Sequence, residues 1–413
     1  MHRLLSAIVL VCAACAFDVG PEPGTPGDQD AGFRPDAGAL DAAADSGEPD
    51  AAVEPDGGLV AEDAGEDAGL GPDAGPDAGE PDAGSADAGE VCDRRPSPTE
   101  WLPCRGDGFV PDSPEEDWQH TTTSLFVVTQ GSPRHRGIDT IVNPGQEQLL
   151  IGKFAYGVAD KDLKDEKVEV WIEVACRSWA RVGVDYTSDD GEHGTVEGVE
   201  DDGGRVFFAI PEDRRLPVGS YRVKMLVKGD HSEANFWLHV WEPGMRVVVS
   251  DIDGTITTRE TDGVWTAFDP SSPTAREGAN DTFRIYAAKG YRVLFLTARP
   301  DFTTEGTRGW FDANRFPVGS FHLSQRTIGE HGADAQAYKT AYLQALVEDR
   351  GVVVEWAYGN KETDLDTYLA VGVEPGHIRL VAGEYTGDPK GSTMIDGYVP
   401  ESERVACLPP VEQ

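Results

Sequence analysis

The run Met245-Arg246-Val247-Val248-Val249-Ser250-Asp251-Ile252-Asp253-Gly254-Thr255 constrains the fold more than any other part of the chain. Three consecutive valines predict a strand buried on both faces, as in a parallel sheet. Such a strand delivers Asp251 to its carboxyl end, the edge at which open α/β sheets bind ligands. Alternate residues share a face, so Asp251 and Asp253 look into the crevice while Ile252 turns into the core. Gly254 permits the sharp exit from the strand. Two carboxylates converging at one place repel unless a cation separates them, and a donor set made only of oxygens suits Mg²⁺.

Beyond this strand the pattern alternates between helix and strand, the signature of a parallel α/β sheet. Pro273 to Lys289 predicts a helix with Ala279, Phe283, Tyr286 and Ala287 on one side and Gly290 ending it. The strand Tyr291 to Leu296 then carries Thr297 to the same sheet edge. There its hydroxyl can reach a phosphate oxygen, although a threonine in that place also caps turns. Tyr338, Ala341, Tyr342, Ala345 and Leu346 recur at helical spacing around Lys339, which could cancel charge beside Asp251. A lone helical lysine more often faces solvent. The strand Val352 to Tyr358 ends at Gly359-Asn360-Lys361-Glu362-Thr363-Asp364, where Asn360 and Asp364 offer further oxygens. Four separate elements thus bring polar residues to one edge.

The Asp251-Ile252-Asp253-Gly254-Thr255 loop resembles the catalytic loop of the haloacid dehalogenase-like phosphatases. Residues 246–385 are similar, more narrowly, to the catalytic domain of the lipins, the Mg²⁺-dependent phosphatidate phosphatases. The resemblance is carried by Ser250 to Thr257, Leu296-Thr297-Ala298-Arg299, Thr307-Arg308-Gly309-Trp310-Phe311, Pro317-Val318-Gly319, Gly359 to Asp364 and Tyr368 to Val373. It implies a Rossmann-like parallel sheet with no large cap, and an aspartyl-phosphate mechanism. In that mechanism Asp251 is the nucleophile and Asp253 the acid/base, while Thr297 and Lys339 hold the phosphate. Asp251, Asp253 and Asn360 would ligate Mg²⁺, with Asp364 supporting. Lys361 stands where lipins favour arginine, and an amphipathic amino-terminal helix for membrane docking is missing. Two alternatives keep parts of this reading. One makes the substrate a soluble phosphate ester. The other is a non-catalytic module that binds lipid head groups, since related lipid-transfer proteins carry such domains, typically with the nucleophile lost. Asp251, Asp253, Thr297, Lys339 and Asn360 occurring together favour turnover.

Residues 123–242 alternate short strand-like runs with turns such as Asn143-Pro144-Gly145 and Asp201-Asp202-Gly203-Gly204. The runs are Ser124–Thr129, Lys167–Ile172, Arg205–Ile210 and Ser220–Val227. In the second, Val168, Val170 and Ile172 alternate with Glu169, Trp171 and Glu173, as expected of a half-buried antiparallel strand. An immunoglobulin-like β-sandwich is the expected fold, and lipins pair their phosphatase domain with one. Pro133-Arg134-His135-Arg136-Gly137 forms a small basic island that could meet a phosphate or a lipid head group, though such loops are commonly just solvated.

The remaining segments set the context. Residues 1–15 have one basic residue and an apolar run too short to span a bilayer, so they read as a signal peptide. Ala13-Ala14-Cys15 resembles a bacterial lipoprotein processing site that would lipidate Cys15, with Cys12 departing from the usual pattern. Residues 16–90 repeat Pro-Asp-Ala-Gly and carry 21 acidic residues against one arginine, Arg34. So little apolar surface cannot repay ordering entropy, and an extended tether is expected. A lead-in at 91–122, the phosphatase domain at 245–390 and a tail at 391–413 complete the expected division. Cys92, Cys104, Cys176 and Cys407 predict two disulfides, with three possible connectivities. The net charge of -39 argues against a nucleic-acid partner. An exported protein of the cell envelope, held to a membrane by a lipid anchor, is the expected setting.

Overall fold

The computed structural model describes residues 106, 108–258, 273–326 and 329–411. Cys15, Cys92, Cys104 and the acidic tether lie outside these. Cys176 and Cys407 are each disulfide-bonded.

The turn-punctuated first half of the described chain makes two packed sheets. One holds β1 (Arg136–Gly137), β3 (Leu149–Lys153) and β8 (Arg205–Ala209) in the order β1-β3-β8. The other has the order β2-β10-β9-β6-β7, from β2 (Thr140–Val142), β6 (Lys167–Ala175), β7 (Ser178–Tyr186), β9 (Gly219–Val227) and β10 (Glu233–Val240). A short hairpin, β4 (Ala155–Tyr156) with β5 (Lys161–Asp162), completes the set. Inward residues such as Leu150, Phe154, Val168, Val170, Val223 and Phe236 fill the space between the sheets. Between β1 and β2 the chain passes from one sheet to the other, and Asp139 sits at that crossing.

Two expectations for this region need correction. Ser124–Thr129 is not a strand: Thr121–Val128 forms helix α1. Its β-branched composition is overridden by a tertiary contact, as strand propensity often is. The Glu166 carboxylate accepts the backbone N–H groups of Gln119 (3.1 Å) and His120 (3.0 Å) and the Ser124 hydroxyl, which gathers the chain into a turn. Strand β6 is also buried on both faces rather than one, because Phe109 of the lead-in packs edge-on against Trp171 and Trp179.

The basic island proves largely structural. The His135 ring is buried, its Nδ1 accepts the Ala155 N–H at 3.3 Å, and its Nε2 lies 2.8 Å from Ser232 Oγ. Burial holds His135 down to about 4, and does the same to His239. Both values lie below the ordinary 6.5, so the unfolded chain takes up protons that the folded chain refuses. Stability is therefore complete above pH 6.5 and is lost as pH falls towards 4. The urea midpoint should drop across that window, and His135→Asn should make the drop shallower.

The second half builds one parallel six-stranded sheet in the order β13-β12-β11-β14-β15-β16. Its strands are β11 (Arg246–Ser250), β12 (Arg292–Pro300), β13 (Ser320–Ser324), β14 (Val353–Gly359), β15 (Ile378–Val381) and β16 (Thr393–Ile395). Helices α2 (Ala279–Ala288), α3 (Thr304–Ala313), α4 (Gly332–Arg350), α5 (Glu362–Ala370) and α6 (Tyr398–Ala406) cover it. The valine run explains the layering. Val248 packs on one face with Phe283, Tyr286 and Phe295, while Val247 and Val249 pack on the other with Leu343, Leu346 and Leu365. The chain moves outward from β11 through β12 to β13, then returns across β11 to β14. That reversal opens a crevice at the carboxyl ends of β11 and β14. Residues 391–413, expected as a tail, instead supply β16 and α6, whose Tyr398 is fully buried and reaches the Thr255 carbonyl at 3.3 Å. Among the described residues, the intervals Asp251–Thr297 and Thr297–Lys339 hold core elements and no inserted cap domain.

Candidate functional site

Asp251 follows the last residue of β11, and its N–H donates to the Tyr358 carbonyl of β14 at 3.0 Å. This pins the first aspartate against the neighbouring strand at the crevice. The chain then turns tightly, with Gly254 at φ +75° and its N–H donating to Thr257 Oγ1 at 3.0 Å. Ile252 is fully buried, as the alternation requires.

Lys339 projects from α4 to the same point. Its ammonium lies 2.6 Å from Asp251 Oδ1 and 2.8 Å from Asp364 Oδ1, and all three side chains are buried. The second Asp364 oxygen accepts the backbone N–H groups of Asn360 and Lys361, each at 3.2 Å, at the amino end of α5. Asp364 therefore orients the lysine and the Asn360 loop. The other Asp251 oxygen, Oδ2, lies 3.1 Å from the Thr255 hydroxyl, which is 3.2 Å from the Asn360 amide oxygen. Asp251 and Asn360 thus present oxygens to one small space.

Asp253 is held differently. Arg299 grips its carboxylate with two hydrogen bonds, Nε to Oδ2 at 2.8 Å and Nη2 to Oδ1 at 2.6 Å. A third guanidinium nitrogen donates to Thr307 Oγ1 at 3.1 Å, and the Arg299 N–H donates to Thr297 Oγ1 at 3.2 Å. Thr297 is buried within β12, three residues before its end, so the strand runs on past the residue expected to leave it. The structure therefore gathers Asp251, Lys339, Asn360 and Asp364 around one point, with Asp253 and Thr297 joined through Arg299. The sequence reading gave no role to Arg299, Thr255 or Thr307. Arg299 stands two residues after Thr297, and that spacing in the Leu296-Thr297-Ala298-Arg299 stretch was the signal for it.

Electrostatics follow from the count of charges. Three carboxylates face two cations, which leaves an excess of buried negative charge. The Asp251 carboxyl is pushed up to about 7: burial is the main cause, Lys339 opposes it, and the Asp364 and Asp253 charges add to it. Burial opposes the charge on Lys339, yet the two carboxylates beside it overcome this and raise it above its ordinary value. Excess negative charge beside clustered oxygens is what a hard divalent cation would relieve. Asp251 and Asn360 fit that role. The Asp253 carboxylate is forked by Arg299, and the Asp364 carboxylate accepts from Lys339 and two backbone N–H groups. Among the described residues no group of three or more His, Cys, Asp or Glu side chains forms a metal cluster.

Gly254 is fixed by this geometry. A Cβ at that position would lie 2.1 Å from Asn360 Nδ2 in a left-handed backbone conformation. Gly254→Ala should therefore displace Asn360 and cost about 1–2 kcal/mol of backbone strain. Thermal melts should show that loss.

Comparison with known proteins agrees with the two-domain architecture. Residues 248–382 match the family model for the LNS2 domain of PITM 1-3, and residues 133–240 match the model for its beta-sandwich domain. Protein retinal degeneration B of Drosophila melanogaster is 30% identical over 294 residues, covering 70% of this chain and 21% of that protein. The human Membrane-associated phosphatidylinositol transfer protein 1 is 31% identical over 295 residues, covering 70% and 22%. The human Membrane-associated phosphatidylinositol transfer protein 3 is 30% identical over 276 residues, covering 66% and 26%. The chain thus spans about a fifth to a quarter of the length of these relatives. It carries an immunoglobulin-like β-sandwich followed by an α/β domain of haloacid dehalogenase-like fold, with no large cap among the described residues.

Proposed function

We propose that this chain is a Mg²⁺-dependent phosphatase that works through an aspartyl-phosphate and acts on phosphatidate or a related lipid phosphate. The observation that carries the reading is the buried Asp251 carboxylate, set at the crevice between Lys339 and the Thr255–Asn360 pair. A bound Mg²⁺, held by Asp251 and Asn360, would offset the repulsion between nucleophile and phosphate. Lys339 and Thr297 would orient the phosphoryl oxygens. Asp251 attacks phosphorus, the bond from phosphorus to the ester oxygen breaks, and protonated Asp253 gives its proton to the departing alkoxide. The Asp253 carboxylate then takes a proton from water, whose oxygen attacks phosphorus and returns Asp251 and inorganic phosphate. The two-bond Arg299 fork fixes where the Asp253 carboxylate sits for both steps.

A lipid substrate is supported by the LNS2 match and by relatives whose names describe membrane-associated lipid transfer. Those same names favour a second reading, a head-group binding module without turnover. The test is phosphate release from phosphatidate in mixed micelles, with and without Mg²⁺, beside a panel of soluble phosphate esters. Release from phosphatidate that requires Mg²⁺ supports the proposal. Turnover of soluble esters alone would discard the lipid substrate, and lipid binding without any release would replace the enzyme by the module. Membrane attachment through lipidated Cys15 belongs to the same proposal. Palmitate labelling of the exported chain should disappear in Cys15→Ser.

A further inference from the structure

The sandwich touches the phosphatase domain through buried charge placed next to the residues that hold Asp253. Asp139, at the crossing between the two sheets, has a fully buried carboxylate. Its Oδ1 accepts the Trp237 N–H of its own domain at 2.8 Å and Arg308 Nη2 at 2.6 Å. Its Oδ2 accepts the Phe321 N–H of β13 at 2.7 Å. Arg136 of β1 binds Asp160 with two hydrogen bonds and brings its Nε within 2.9 Å of Asp301 Oδ2. Both catalytic-domain partners are sequence neighbours of the Asp253 clamp. Arg308 follows Thr307, the acceptor of Arg299, along α3. Asp301 lies two residues beyond Arg299.

The narrow cleft between the domains is lined by Arg136, Lys153, Arg205 and Arg308 together with Asp301. Each of these cations already has a carboxylate: Asp160 and Asp301 for Arg136, Asp162 and Asp202 for Lys153, Asp202 for Arg205 and Asp139 for Arg308. A seam so fully compensated is built to hold two domains in register rather than to take up an anion. Buried, hydrogen-bonded ion pairs suit that task, because removing one partner strands the other.

We propose that Asp139 of the sandwich is a positioning residue for the acid/base step: through Arg308 and β13 it fixes the middle of α3, so that Thr307 and Arg299 hold Asp253 at the crevice. The inference rests on the phosphatase reading for its kinetic consequence and on geometry alone for its structural one.

The experiment compares Asp139→Asn and Arg308→Gln with Asn143→Ala in the full chain. Asn143 also bridges the domains, donating to the Trp241 and Arg350 carbonyls at 2.9 Å each, but it has no link to Arg299. Asp139→Asn and Arg308→Gln should each lower kcat on an alkyl phosphate tenfold or more with KM little changed. On 4-nitrophenyl phosphate, whose leaving group needs no proton, the loss should be several-fold smaller. Asn143→Ala should keep both rates within twofold. Equal losses on both substrates, or equal losses in Asn143→Ala, would overturn the proposal. If the parent turns over no phosphate ester, the phosphatase reading falls. The link is then read by hydrogen exchange across the peptides holding Asp253 and Arg299. Exchange there should quicken about tenfold in the two seam variants and not in Asn143→Ala. Unchanged exchange in the seam variants overturns the proposal independently of turnover.

Discussion

Lys339→Met should destabilise the folded chain by about 3–5 kcal/mol, the cost of leaving buried charge without its partner. The Lys339 ammonium contacts both Asp251 and Asp364, and all three side chains are shut from water. Without it two carboxylates face each other in a low-dielectric pocket. Asp364 keeps two backbone N–H donors, so Asp251 is the group that must neutralise. Its carboxyl already sits at about 7, above the ordinary 3.8, and losing the lysine raises it further. A carboxyl raised on folding contributes stability below its unfolded value that is lost as pH climbs through its folded one. The penalty of Lys339→Met is therefore smaller at pH 5 than at pH 8. Adding Asp251→Asn to Lys339→Met should recover most of it, because the repulsion is gone. Urea unfolding of the two single variants and the double variant closes the cycle. A double variant no more stable than Lys339→Met would contradict the pairing.

The second large effect concerns Arg299→Lys. Lysine keeps the charge but cannot form the planar two-bond grip on Asp253, nor reach Thr307 with a third nitrogen. Misplacing a reacting group by about 1 Å costs on the order of 10²-fold in rate. Turnover should fall by that order while KM changes little. The Arg299 side chain is 5% exposed and Asp253's is 15%, so solvent does little to screen the pair. A variant with full turnover would show that the fork has no part in placing Asp253.

The strand and its aspartates were legible because their pattern is local. A valine run fixes a doubly buried strand, and alternation fixes which side chains meet the crevice. Lys339 was legible only by resemblance, since helical spacing alone gives it no reason to point inward. The α1 segment was misread because its β-branched composition is local while the Glu166 carboxylate that coils it lies 42 residues away from Ser124. Residues after 390 were read as a tail because β16 is three residues long and its partner strand gives no sequence signal. The Asp139–Arg308 pair, separated by 169 positions, is a tertiary fact with no periodicity behind it. Arg299 stood within a motif already in view, yet its role depends on where Asp253 turns after Gly254.

The central claim is that Asp251 carries the phosphoryl group. It is tested most directly by quenching the protein in acid during incubation with phosphatidate, digesting it and locating bound phosphate by mass spectrometry. The account predicts one phosphoryl group on the peptide holding Asp251, released by hydroxylamine and absent in Asp251→Asn. Continued phosphate release by Asp251→Asn, or a phosphoryl group on another residue, would contradict it.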